Sequence, residues 1–204
     1  MNKAQENSVR HLEDLYTVVV GLGLSISIMN LIDATKGPFP VKPELIPFFL
    51  AYIVTLIPFY HGALRHLDFT YIEQDGKHIR SGALIADFGL LFIESCLILA
   101  LAVLLPKPKY FAWGLIVLLS FDAIWGFFAH VGFSPDVKPK AESRWAIINI
   151  ITALALVLYI IVLDRRSSSG RMLPWEGILA ISMVRTIIDY YACWQTYFPS
   201  RRSQ

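Results

Sequence analysis

Stretches of about twenty mostly apolar residues recur along the 204-residue chain, at roughly 15–32, 45–67, 82–105, 110–131, 145–163 and 174–198. A helix of about 20 such residues crosses the hydrocarbon core of a bilayer. Only helices and closed barrels satisfy every backbone N–H and C=O inside that core. The spacing therefore predicts an all-α, polytopic transmembrane helical bundle of six spans, with residues 1–204 forming one integral membrane domain in contact with the lipid bilayer. Composition agrees, since 55% of residues are hydrophobic and 17% charged, with a mean hydropathy of +0.54, well outside the range of a soluble domain. The polar start, with Glu6 and Arg10, lacks the basic head and immediate apolar core of a signal peptide, so the first apolar segment is expected to stay.

Local signals mark where the spans begin and end. Asn7 or Ser8 is expected to cap the first helix. Gly37, Pro38, Pro40 and Pro43 rule out regular structure in the following turn, and Glu44 suits the positive end of the next helix dipole. Pro58 removes the amide that would bond the Val54 carbonyl and predicts a kink in the second span. Asp75-Gly76, flanked by Tyr71, Ile72 and Ile79, reads as a small hairpin. Pro106 and Pro108 close the third span, Gly132 and Pro135 the fourth, and Asp164-Arg165-Arg166 the fifth. Tyr110, Trp113, Trp145 and Trp175 are expected to be interfacial anchors.

Several chemistries are excluded or disfavoured at this level. A net charge of +2 without a basic run argues against nucleic acid. Cys96 and Cys193 lie in apolar stretches without ligand spacing and are expected to be buried thiols. No metal or cofactor is expected: His61 and His66 resemble a histidine box only superficially, with five histidines in the chain, and His61 with His130 is a weak candidate haem pair. No nucleophile-base pair or glycine-rich phosphate loop is visible.

What remains are ionisable residues at membrane depth, which are costly there and tend to face a bundle interior or a water-filled cavity. His61, Arg65 and Asp68 stack on one face of the second span. Asp87 and Glu94, seven residues apart in the third, are aligned. The fourth carries Asp122 and His130. The sixth carries Arg185 and Asp189, which share a narrow polar stripe with Ser182, Ala192 and Thr196, while Ile181, Met183, Val184, Ile187 and Ile188 cover the rest. Arg185 is expected to meet Asp189 and an acid of span three or four, and His61, Arg65, Asp87 and Asp122 to line one vestibule.

Of the 18 Lys and Arg residues, ten fall on the side of the amino terminus and seven on the other, with Arg185 inside a span. Positive charge accumulates on the cytoplasmic side. This predicts a cell-membrane protein with both termini in the cytoplasm and the intramembrane charges nearer that side. Three classes fit: a small transport or conducting protein for a cation, proton or small solute; a non-catalytic accessory or sensor subunit; and an acid/base enzyme acting on a lipid. Six short helices barely enclose a path, so a homo-oligomer or larger membrane complex is expected, with Gly21 and Gly23 offering close helix contact. The third span of each half carries charge, a hint of an inverted repeat.

Overall fold

A computed structural model describes residues 3–33, 35, 40–73, 82–132, 140–167 and 175–199. Among them are seven α-helices: α1 (Lys3–Leu31), α2 (Ile46–Leu67), α3 (Ala83–Leu104), α4 (Pro108–Gly132), α5 (Lys140–Ser167), α6 (Glu176–Ala192) and the short α7 (Trp194–Tyr197). Five stretches, Glu6–Leu31, Pro43–Ile72, Leu84–Leu104, Pro108–Phe128 and Glu142–Leu163, are long and apolar enough to cross a bilayer. The chain is a multi-pass, all-helical membrane protein.

The six long helices close on themselves. α1 packs on α3, α3 on α4, α4 on α5, α5 on α6, α6 on α2 and α2 back on α1. This ring is inverted relative to a soluble bundle. Outward faces are apolar, as with Met29, Ile57, Ile85, Phe127, Leu158 and Ile187, while Glu94, Asp122, Asn149, Arg185 and Asp189 are buried. Such a surface suits lipid and would be an aggregation hazard in water. The ring order also argues against an inverted repeat, because α1 lies on α3 whereas α4 makes no comparable contact with α6 among the described residues.

Several helix limits differ from the sequence expectation for identifiable reasons. α1 begins by Lys3, because Val9, Leu12, Tyr16 and Val20 keep one buried face running at helical spacing. Asn7 and Ser8 are therefore inside the helix and do not cap it. The proline-rich turn after α1 contains a short antiparallel bridge, Ile32 to Val41, in which the Asp33 amide donates to the Pro40 carbonyl at 2.6 Å and the Lys42 amide to Leu31 at 2.9 Å. α2 continues into a π-helical turn, Asp68–Glu73, which buries Thr70 and Tyr71 in the core. Tyr71 and Ile72 are thus helical rather than part of a hairpin strand, and the Asp75-Gly76 turn lies outside the described residues.

Pro58 sits inside α2. The Val54 carbonyl that it deprives of an amide accepts a hydrogen bond from Thr186 Oγ1 on α6 at 2.6 Å, so a missing hydrogen bond in one helix becomes a joint between two. Gly23 allows another close approach. A β-carbon there would lie 2.5 Å from Tyr52 Oη, so this glycine fits α1 against α2 within the chain and is not free for contact with a second copy.

The sixth apolar segment is not one helix. α6 stops at Cys193, whose φ of −111° and ψ of 17° leave the helical region, and the chain turns into α7. Cys193 is buried as expected, but Cys96 is exposed on the outer surface. Trp145 is buried in the bundle instead of anchoring at the interface, whereas Tyr110 and Trp113 are exposed.

Candidate functional site

The inner face of α6 follows from its sequence. Ile178, Ser182, Arg185 and Asp189 recur at intervals of four, three and four and are buried, whereas Met183, Val184, Ile187 and Ile188 point outward. Around it, α1, α3, α4 and α5 each contribute a polar group, and α2 an aromatic ring. α1 provides Tyr16, which donates to Glu94 Oε1 of α3 at 2.7 Å. α4 provides Asp122, which accepts a hydrogen bond from the Asn149 amide of α5. The Asn149 carbonyl oxygen in turn accepts from Arg185 Nη2 at 2.9 Å and Nε at 3.1 Å. Phe59 of α2 lies under the guanidinium, 4.7 Å from ring centroid to Cζ. Asp189 is 3.9 Å from Arg185 Nη2 and accepts the Tyr197 hydroxyl at 2.9 Å.

These residues surround a cavity of about 20 Å³ lined by Pro58, Phe59, Glu94, Asp122, Trp125, Trp145, Arg185, Asp189 and Tyr197. About 10–15 Å³ is enough for one water molecule. Arg185 Nη1, Asp189 Oδ1 and Trp145 Nε1, all on lining residues, have no hydrogen-bond partner among the described residues. The cavity is thus bordered by residues that carry two unpaired donors and an unpaired acceptor.

A second cluster lies at the end of the bundle where α2 finishes. His66 Nε2 is 3.2 Å from Asp87 Oδ2 of α3, and Nδ1 is 3.2 Å from Glu142 Oε1 of α5. Ionised carboxylates only accept hydrogen bonds, so a ring that donates from both nitrogens, the imidazolium, satisfies this geometry. Tyr71 donates to the same Asp87 oxygen at 2.6 Å, and the Trp125 ring meets the His66 ring edge-on with centroids 4.8 Å apart.

The charges in this interior do not balance. The buried ionisable acids and bases among the described residues are Asp87, Glu94, Asp122, Glu142 and Asp189 against His66 and Arg185. Five carboxylates face two cationic side chains. An uncompensated buried charge costs several kcal/mol even after relaxation, and three of these five carboxyl groups have no buried cationic side chain to offset them.

The expected site residues divide into groups. Glu94, Asp122, Arg185 and Asp189 come together at the cavity. Asp87 belongs to the His66 cluster. His61 is packed among aromatic rings, 4.7 Å from Tyr197, with Nδ1 3.3 Å from Tyr190 Oη. Arg65 donates to the Thr196 carbonyl at 3.0 Å and lies 3.4 Å from Asp68. His61, Arg65, Asp87 and Asp122 thus do not form a single vestibule, and Arg185 reaches Asp122 through Asn149 instead of pairing with an acid of span three or four directly. His130 is on α4, but its side chain lies outside the described residues.

Tyr16, His66, Glu142, Asn149 and Tyr197 were not among the expected site residues. Glu142, which is buried, is hidden in the sequence by Lys138, Lys140 and Arg144, which make its surroundings look like a loop. The signal for Tyr16 is its place in the Val9, Leu12, Tyr16, Val20 series. No protein-family model matches the chain, and neither does any curated protein or solved structure.

Proposed function

We propose that this is a six-spanning cell-membrane protein that conducts or transports protons through the acid-lined core, with both termini in the cytoplasm. The observation that carries this reading is the excess of carboxylates around a cavity with room for one water. Glu94, Asp122 and Asp189 face the single guanidinium of Arg185, so this group is most stable holding protons, and a water among them gives the protons a route between carboxyl oxygens. One carboxylic acid releases its proton to the water while a neighbouring carboxylate accepts another from it, and charge is conserved at each transfer. Asn149 keeps Asp122 and Arg185 in fixed relation, and Tyr16 holds Glu94.

α6 counts as the sixth crossing in this reading. Its 17 residues give about 25 Å of helix, its outer face is apolar, and Arg185 and Asp189 point into the ring while Glu176 is exposed in the first turn. A lipid-processing enzyme is supported less well, because the cavity beside the buried acids, about 20 Å³, does not admit a headgroup, and the larger groove of about 740 Å³ between α4 and α5 is lined by apolar residues and two serines without an acid or a histidine.

The test is proton flux into proteoliposomes that contain a pH-sensitive dye. The parent protein should dissipate an imposed gradient, and Asp122→Asn, which keeps an oxygen for Asn149 but cannot cycle a proton, should abolish flux while remaining folded and monodisperse in detergent. A parent that passes no protons under either polarity would reject the proposal and leave the network a purely structural one.

A further inference from the structure

We infer that the segment from Cys193 to Phe198 is a plug that closes the acid-lined core at the end where α2 finishes, with Tyr197 as the closing side chain and Asp189 as its seat. Its effect on flux rests on the proton reading; its existence as a moving part does not.

The plug has an inner side and an outer side. On the inner side Tyr197 is only 3% exposed and lines the cavity. Its hydroxyl donates to Asp189 Oδ2, and its ring lies 4.7 Å from both His61 and Tyr190. Gly62 of α2 makes the seat shallow, since a β-carbon there would stand 3.5 Å from Tyr197 Oη. On the outer side Trp194 and Phe198 are 58% and 47% exposed, with ring centroids 4.5 Å apart. Exposed aromatic rings at a helix end are favoured at the headgroup level of a bilayer. The segment therefore lies at the membrane interface with one ring turned inward.

The attachment is built to release. α6 ends at Cys193, so α7 is joined to it by a break in the helix. Beyond the Tyr197 contacts, the segment is tied to α2 by the hydrogen bond from Arg65 Nε to the Thr196 carbonyl and by the Phe198 ring against His61, 5.5 Å between centroids, and to α6 by the Cys193 amide on the Asp189 carbonyl, while Arg144 Nη1 donates to the Ala192 carbonyl at the end of α6 itself. A single helical turn that follows a helix break at the edge of a bundle is the kind of element that opens without global unfolding. While seated, Tyr197 occupies one oxygen of Asp189 and shields the carboxylate from the headgroup region. When it swings out, Asp189 gains an aqueous path, and proton exchange with that side becomes open.

Cys193 is a built-in reporter, being 1% exposed at the joint itself. In full-length protein carrying Cys96→Ala and reconstituted in lipid, the rate of Cys193 modification by a maleimide reads the opening. Tyr197→Phe keeps the ring and removes the hydroxyl, so it should speed modification about tenfold, the factor by which the loss of one hydrogen bond to a carboxylate shifts an equilibrium, and it should raise flux. Gly62→Leu, which crowds the seat, should do the same. A cysteine introduced at Leu119, buried elsewhere at 1% exposure, reports unfolding and should stay unreactive. If Cys193 reacts at the parent rate in both variants, or if the position-119 cysteine accelerates with it, the plug is refuted. Faster modification of Cys193 alone, in a protein that passes no protons, would establish the plug and reject the proton reading.

Discussion

Thr186 of α6 donates its hydroxyl hydrogen to the Val54 carbonyl of α2 at 2.6 Å, and it is Pro58 that leaves this carbonyl without a helical amide. Removal of the donor should strand an acceptor in an environment with no water to replace it. Thr186→Val is expected to lower unfolding stability in detergent by about 1–2 kcal/mol. In a Pro58→Ala background, where residue 58 regains its amide, the same substitution should cost clearly less. Equal losses in both backgrounds would show that the hydroxyl is not serving the freed carbonyl.

Arg185 is the sole guanidinium among the buried side chains described, and it serves Asn149, Asp189 and the Phe59 ring together. Arg185→Met should leave Asp122 and Asp189 without a compensating charge and destabilise the bundle by about 3–5 kcal/mol. Asp189→Asn in the same chain should recover part of that loss. Thermal unfolding in a single detergent measures both, and an unaltered melting temperature for Arg185→Met would mean that the guanidinium is neutralising nothing.

His66 stands between Asp87 and Glu142 with 3.2 Å to each. His66→Leu should be strongly destabilising, because two carboxylates from different helices then face each other across an apolar side chain. Adding Asp87→Asn and Glu142→Gln removes that repulsion and should restore most of the folded yield. A triple variant no better than the single one would show that packing against Trp125, and not charge, is what His66 contributes.

Gly23 faces the Tyr52 hydroxyl so closely that an added methyl group would overlap it. Gly23→Ala is expected to cost about 1–3 kcal/mol through overpacking. Tyr52→Phe should relieve most of this, because the obstructing atom is the hydroxyl oxygen, which has no hydrogen-bond partner among the described residues. Chemical denaturation of Gly23→Ala, made once in the parent chain and once together with Tyr52→Phe, decides the matter.

The multi-pass helical architecture and the inward stripe of α6 were legible in the sequence because both follow from spacing alone, although five stretches, not six, are long and apolar enough to cross. Residues 182, 185 and 189 recur on one face whatever surrounds the helix. The partners were not legible, because they depend on which helices become neighbours. Arg185 and Asn149 are 36 residues apart, and His66 and Glu142 are 76 apart, with no local signal linking either pair. The break at Cys193 was also hidden: no proline or glycine marks it, and the aromatic packing of Tyr197 on His61 overrides a sequence that could have stayed helical. The Pro58 site is the intermediate case. That the Val54 carbonyl would be freed follows from the proline, but that Thr186 would receive it does not.

The ring order bears on how the protein is made. α2 finds its two ring neighbours in α1, which precedes it, and in α6, which emerges only after three further helices have been synthesised. Until then Glu94 and Asp122 sit in a bundle with an open seam and without their guanidinium, a state that lipid tolerates poorly. The arrival of α6 closes the seam and delivers Arg185 in one event. A nascent chain halted before α6 would consequently hold Glu94 and Asp122 with only Tyr16 and Asn149 as partners and no buried guanidinium beside them, so the last long helix is the one that completes the polar core.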